Sequence, residues 1–248
     1  MGTLYVVGTP IGNLEDVSAR ALHILREVRL IAAENPQRTQ RLLARYDTRS
    51  GTPMMRYTDA YDRKKRSRMR AVLAALEEGD VALVSEAGMP GLADPGYELI
   101  TAALERGLAV VPIPGPTALS AALSVAGIRA QRFKFLGFLP RGAGARQNLL
   151  ASLAESPFTL VAYEAPHRLL GTLADLHRLF GERPMVAAGE LTKLYEQVRR
   201  GTAAELLAHF RANKPRGEFT LVVAPPLSPP FGSARDRPCE QGRENEAA

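Results

Sequence analysis

The chain has 248 residues, 46% of them apolar, with a formal charge of +6 and a single cysteine. That length suits one large or two small globular domains, one cysteine excludes a disulfide framework or a cysteine-built metal site, and no run approaches the ~18 consecutive apolar residues of a membrane span. The positive charge leans toward a polyanionic partner. The four histidines, His23, His167, His177 and His209, stand far apart without metal-ligand spacing, so no metal is expected. Cys239 lies in a polar tail and a strand begins within three residues of Met1, so a reducing cytoplasm and no signal peptide are expected.

In chain order, residues 3–8 read as a first strand, followed by the Gly/Pro-built loop Gly8-Thr9-Pro10-Ile11-Gly12-Asn13. A helix follows near 17–27, where Val17, Ala21, Leu22, Ile24, Leu25 and Val28 recur at helical spacing and Asp16 or Ser18 could cap it. Leu30 to Ala33 fits a second strand, Pro36 a helix start, and Met54 to Tyr57 another short strand. Arg63, Lys64, Lys65, Arg66, Arg68 and Arg70 crowd the segment that runs into an amphipathic helix stopped by Gly79. Strand 81–84, a helix near 95–106, strand 108–111 and a helix near 117–126 complete a βα-repeating half. After a junction at 127–132 the chain continues with strand 133–138, a helix near 146–154, strand 159–163, a helix near 166–180, strand 184–188, a helix near 203–211 and strand 219–224. Residues 226–248 are rich in Pro, Ser, Gly, Arg and Glu and too poor in apolar groups to offset the entropy of ordering, so a disordered tail is expected there.

Two further loops resemble the first in kind: Ser85-Glu86-Ala87-Gly88-Met89-Pro90-Gly91 after strand 81–84, and residues 112–118 (P-I-P-G-P-T-A) after strand 108–111. Loops of this kind at the ends of parallel strands describe one crevice at the carboxyl edge of a sheet, where open α/β sheets bind ligands. The first loop is not G-x-G-x-x-G and no G-x-x-x-x-G-K-[ST] occurs, so a pyrophosphate cradle is disfavoured. What remains is a crevice of backbone amides, small side chains and Glu86, suited to a ligand with sugar hydroxyls and an aromatic base.

The segments G-T-P-I-G-N-L-E-D, S-E-A-G-M-P-G-L-A-D-P-G, P-I-P-G-P-T-A, Y-E-A-P-H-R-L-L and G-E-L-T-K, in this order and at these separations, resemble the tetrapyrrole-methylase superfamily and, within it, the branch of small-subunit ribosomal RNA methyltransferases. The resemblance covers about residues 3–224. It implies a class III methyltransferase with two α/β lobes, a mostly parallel N-terminal sheet in residues 1–116 and a mixed C-terminal sheet in 117–225. It also implies S-adenosylmethionine in the cleft between lobes, a homodimer, and methylation of a cytidine ribose 2′-hydroxyl in 16S rRNA. Cofactor contacts are expected from Pro10, from Ser85, Glu86, Ala87, Gly88 and Met89, from Gly115, Pro116, Thr117 and Ala118, and from Ala162, Tyr163, Ala188, Gly189 and Thr220. Glu86 stands where the branch usually has Asp, and Met89 where it often has Thr. The branch commonly reads A-E-D-T-R-x-T after its second strand; here Asn35 and Gln37 replace the Asp and Arg, and Arg38 lies one position away.

A ribose hydroxyl is a poor nucleophile at neutral pH, so a general base or an alkoxide-stabilising cation is expected near it. The catalytic candidates are Glu164 and His167 in Y-E-A-P-H-R and Glu190 and Lys193 in G-E-L-T-K. RNA contacts are expected from Arg63, Lys64, Lys65 and Arg66, since clustered cations repel one another and invite phosphates, from Arg141 and Arg146 in the aromatic-then-basic loop that follows Phe133, Phe135 and Phe138, and from Arg38 and Arg168. Two other readings compete: a methylase of anionic tetrapyrrole-type small molecules, and an RNA- or ribosome-binding protein that has lost catalysis. An NAD-binding oxidoreductase comes last, for want of its glycine fingerprint.

Overall fold

The computed structural model describes residues 1–47, 51–58 and 65–226. All but the first residue of the expected tail, together with Arg63 and Lys64, lies outside the described residues. The N-terminal half alternates β1 (Leu4–Val7), α1 (Ala19–Glu27), β2 (Leu30–Ala33), α2 (Pro36–Arg45), β3 (Met54–Arg56), α3 (Lys65–Glu78), β4 (Val81–Val84), α4 (Tyr97–Glu105) and β5 (Val110–Ile113). All five strands are parallel, in the order β3-β2-β4-β1-β5. Every residue of β4 is buried, as a central strand covered on both faces must be. Leu4, Val81 and Leu83 pack on Val72, Leu76 and Leu99 of α3 and α4. Val7, Ala82 and Val84 pack with Ala21, Leu25 and Leu43 of α1 and α2 on the opposite face. The chain steps from β1 outward to β3 over one face and back to β4 and β5 over the other, which is how right-handed crossovers wind a sheet twice.

Local signals explain the element ends. Ser18, not Asp16, caps α1 by accepting the Ala21 N–H at 3.1 Å; Asp16 closes a short 3-10 turn, Leu14–Asp16. Pro36 stands in the first turn of α2, where its missing N–H costs nothing, and Asn35 caps that helix by accepting the Arg38 N–H. β5 starts two residues later than expected and takes in Pro112, which an edge strand tolerates.

α5 (Ala118–Ala126), capped by Thr117 and ended by left-handed Gly127, carries the chain to the second sheet. Its elements are β6 (Phe133–Phe138), α6 (Ala143–Ser152), β7 (Thr159–Glu164), α7 (Pro166–Phe180), β8 (Met185–Gly189), β9 (Gln197–Gly201), α8 (Ala203–Ala212) and β10 (Phe219–Val223). The order is β6-β7-β10-β8-β9, parallel only between β6 and β7. Thus the first sheet is wholly parallel and the second mixed. Period-2 alternation divides this sheet into two faces. Leu160, Ala162, Ala187 and Leu221 face α7 and α8, while Val161, Val186, Ala188 and Val222 face Ala122 and Ala126 of α5. β9 is an element the sequence reading lacks: its residues, Q-V-R-R-G, hold one apolar side chain and owe their order to pairing with β8.

Candidate active site

The three Gly/Pro loops meet. Thr9 and Gly88 exchange backbone hydrogen bonds, 2.9 Å from the Thr9 N–H to Gly88 O and 3.0 Å in return, tying the loop after β1 to the loop after β4. A Cβ on Gly8 would stand 2.6 Å from the Gly115 Cα, so the loops after β1 and β5 close only because both positions are glycine. Strands β4, β1 and β5 are neighbours, so their ends form one rim, and it faces the α5 side of the second sheet.

Between rim and sheet lies a cleft of about 480 Å³, within the usual range of small-molecule sites, ~300–1,000 Å³. The first sheet contributes Ile11, Glu34, Arg38, residues 86–89, Leu92 and Asp94; the second contributes Thr117, Ala118, Phe138, Tyr163, Ala188, Glu190, Leu191, Lys193 and residues 217–220. Five carboxylates (Glu34, Glu86, Asp94, Glu190 and Glu218) line it against two cations, Arg38 and Lys193. Both cations are already paired, Arg38 Nε with Glu86 at 2.9 Å and Lys193 Nζ with Glu190 at 2.7 Å. Glu34 accepts the Glu86 N–H at 2.9 Å, which links the ends of β2 and β4. Asp94 is pushed up to about 7, first by burial, then by the negative charges of Glu34 and Glu218. The Tyr163 hydroxyl accepts the Leu119 N–H at 3.1 Å, and burial raises its pKa above the ordinary tyrosine value. Phe135 and Phe138 hold that ring edge-on, at centroid distances of 5.0 and 5.4 Å.

The turn after β8 has the tightest construction. Glu190 and Thr192 are non-glycine residues at positive φ, 51° and 65°, a conformation that persists only where surrounding contacts enforce it. The contacts are visible. The Glu190 N–H donates to Glu218 O, the Thr192 N–H to Glu196 Oε2 at 2.6 Å, and the Asn13 N–H to Thr192 Oγ1 at 3.0 Å. A Cβ on Gly12 would come within 2.5 Å of Lys193 Cγ, and one on Gly217 would overlap the Glu190 carboxyl group. Glycines from two distant loops leave room for the Glu190–Lys193 pair at the cleft wall.

A net-negative cleft with apolar walls (Ile11, Met89, Phe138, Leu191) and strand-end backbone is a suitable receptacle for a flat heteroaromatic ligand carrying positive charge. A sequence model of the tetrapyrrole (corrin/porphyrin) methylases matches residues 3–207. The chain belongs to the tetrapyrrole methylase family. Its relatives include proteins named ribosomal RNA small subunit methyltransferase I. That of Synechocystis sp. is 48% identical over 90% of this chain and 79% of its own length. That of Thermotoga maritima is 44% identical over 90% and 99%, and that of Pseudomonas aeruginosa 46% over 90% and 79%. The fold agrees with solved methylases of the family. A cobalt precorrin-4 methyltransferase superposes with a TM-score of 0.67 at 17% identity, covering 90% of this chain and 94% of that one. A uroporphyrin-III C-methyltransferase from Thermus thermophilus, complexed with S-adenosylhomocysteine, gives 0.60 at 21%, covering 89% and 97%.

Of the methylase residues expected from sequence, the cleft brings together Arg38, Glu86, Ala87, Gly88, Met89, Thr117, Ala118, Tyr163, Ala188, Glu190, Lys193 and Thr220. Pro10 and Ser85 line an adjoining cavity. Gly115 packs on Gly8, Pro116 O lies beside Gly88, and Gly189 sits against the Phe219 ring. The Ala162 side chain points into the core under α7 and α8. Glu164 does not reach the cleft: β7 runs through it, so alternation sends its fully buried carboxylate away from Tyr163. There it accepts the Thr172 hydroxyl at 2.5 Å and pairs with Arg168 Nε at 3.0 Å. His167 is exposed in the first turn of α7 and lines neither cavity.

Several expected RNA cations are occupied by the fold. Arg168 donates to the carbonyls of Leu139 and Pro140 at 2.6 and 3.1 Å, anchoring the chain after β6. Arg146 is buried, with its guanidinium 2.6 Å from Asp175, whose other oxygen accepts from Gln147 at 2.9 Å. Lys65 is bound to Glu98 at 2.6 Å. Arg66 and Arg141 are exposed. Glu34, Asp94 and Glu218 are cleft residues that the sequence reading missed; only the strand-end position of Glu34 and the placing of Asp94 in the loop after β4 hinted at them.

Proposed function

We propose that the protein transfers the methyl group of S-adenosylmethionine to the ribose 2′-hydroxyl of a cytidine in small-subunit ribosomal RNA. The observation that carries this reading is the 40–48% identity, over 90% of the chain, to relatives named for small-subunit rRNA methylation, a stretch that includes the cleft. When bound, S-adenosylmethionine supplies an electrophilic methyl carbon on a cationic sulfur. Glu34, Asp94 and Glu218 offer it negative charge, while Met89, Phe138 and Leu191 offer apolar surface to an adenine.

The chain's own part in the reaction is alignment and proton handling. In-line displacement at carbon needs the acceptor oxygen held behind the methyl group, an orientation effect that fixed geometry supplies. The strained turn 190–193 holds Glu190 and Lys193 at the acceptor side. Glu190 takes the hydroxyl proton as the oxygen–carbon bond forms and the carbon–sulfur bond breaks, and Lys193 lowers the energy of the developing negative oxygen. Such assistance is typically worth ~10²–10⁴-fold. The same reading makes the protein a cytoplasmic homodimer; light scattering would then give about twice the chain mass of 26.9 kDa. The test is tritiated-methyl transfer onto 30S particles lacking the modification, followed by nucleoside mass analysis. The expected product is 2′-O-methylcytidine, with transfer strongly reduced in Glu190→Ala and Lys193→Ala although both bind the cofactor. Wild-type rates in both variants would remove these residues from the reaction, and absence of transfer by the unaltered protein would overturn the reading.

A further inference from the structure

Beside the cleft lies a second cavity, of about 330 Å³, on the α2 side of the rim. The two share a wall made by Ile11, Arg38, Glu86 and Lys193. Their charge is inverted: the cleft carries five carboxylates and two cations, the second cavity Arg38, Arg41 and Lys193 against the single carboxylate Glu86. Arg38 and Arg41 are three residues apart on α2 and so present their side chains on one face. The helix starts where it does because Asn35 and Pro36 set its first turn, and this start puts Arg38 within reach of Glu86. Arg38 and Lys193 are already engaged by cleft carboxylates. Arg41 is exposed and has no ion-pair partner among the described residues.

From this arrangement we propose that the second cavity is an anion subsite that holds a backbone phosphodiester of the RNA strand next to the ribose being methylated, with Arg41 as its uncommitted ligand. The proposal rests on the rRNA reading above and adds to it the placement of the strand. A guanidinium presents planar paired donors that match phosphate oxygens. The shared wall then separates two chemistries, a cationic cofactor on the acidic side and an anionic strand on the basic side, with Glu190 and Lys193 at the boundary.

The test uses the full chain and a short single-stranded RNA of 16S rRNA sequence, with binding followed by fluorescence anisotropy across a KCl series. Arg41→Gln is expected to weaken binding several-fold and to reduce the slope of log affinity against log salt by about 0.7, the value for one lost phosphate contact on a single strand. Arg41→Lys should recover much of the slope. Arg211→Gln, on α8 and lining neither cavity, should leave affinity and slope unchanged. S-adenosylmethionine affinity, measured by calorimetry, reports that each variant is folded. An Arg41→Gln slope equal to the wild-type slope, an equal loss in Arg211→Gln, or no RNA binding by the unaltered protein would each overturn the proposal. Methyl transfer to 30S particles is scored separately. Failure there with the Arg41 effect intact rejects the rRNA methylation reading and spares the subsite; transfer with no Arg41 effect does the reverse.

Discussion

Gly217→Ala addresses the turn at the centre of the proposed chemistry without altering a charged group. Gly217 has φ of 64°, and a Cβ there would overlap the Glu190 carboxyl group and lie 2.7 Å from Glu190 Cγ. Two costs follow. A left-handed residue with a Cβ costs ~1–2 kcal/mol, which lowers the melting temperature of a chain this size by about 2–8 °C. The clash falls on a flexible side chain rather than on backbone, so Glu190 moves and the loop stays. Its pair with Lys193, with side chains 17% and 41% exposed, contributes at most ~1 kcal/mol, so the protein remains folded. The reaction is more sensitive, since a displacement of about 1 Å in a reacting group can cost ~10²-fold. Single-turnover methyl transfer at saturating cofactor should therefore fall by about 10²-fold in Gly217→Ala. In a Glu190→Ala background the same change should cause no further loss, because the two act through one carboxylate. A turnover rate equal to wild type, or full additivity with Glu190→Ala, would refute the placement of Glu190 at the reacting oxygen.

Other expectations follow from the same geometry. Asp94 titrates near 7 in the folded chain, against ~3.9 for a free side chain, so the folded state binds more protons between these values and stability falls as pH rises from about 4 to about 7. Asp94→Asn should flatten that part of a melting-temperature profile; an unchanged profile would reject the assignment. A cationic cofactor should favour ionised Asp94, so calorimetry near pH 7 in buffers of different ionisation enthalpy should detect proton release on binding, absent in Asp94→Asn. Arg146→Ala leaves Asp175 charged and buried, a loss of ~3–5 kcal/mol, so its melting temperature should drop by on the order of 10 °C; a surface-like drop would contradict the buried pair. Gly8→Ala should wedge apart the loops after β1 and β5, since the Gly115 backbone cannot yield, and calorimetry should then show cofactor affinity lost in a chain that still melts cooperatively.

The rim of the site was legible because its signals are local: apolar runs followed by Gly and Pro announce strand-to-loop transitions wherever they pack. The pairing of Arg38 with Glu86 was not, although both departures from the branch pattern were visible. Arginine shifted by one position and a carboxylate longer by one methylene find each other only once β2 and β4 lie side by side. Arg146 looked like a loop cation because its partner, Asp175, is 29 residues away on α7. Glu164 was placed at a strand end when the strand continues through it, and a single residue of strand length decides which face a side chain occupies. Asp94 stands in A-D-P-G with nothing beside it in sequence to mark it; its raised pKa comes first from burial and then from Glu34 and Glu218, which the fold delivers from 60 residues before and 124 after. β9 has almost no apolar pattern to read.

The most direct measurement is a crystal structure of the full chain grown with S-adenosylhomocysteine. The expected result is ligand density in the cleft between the two sheets, in contact with Met89, Tyr163 and Thr220 and open toward the Glu190–Lys193 pair. Density on another surface, or a ligand whose sulfur faces away from that pair, would contradict the placement of the transferred methyl group.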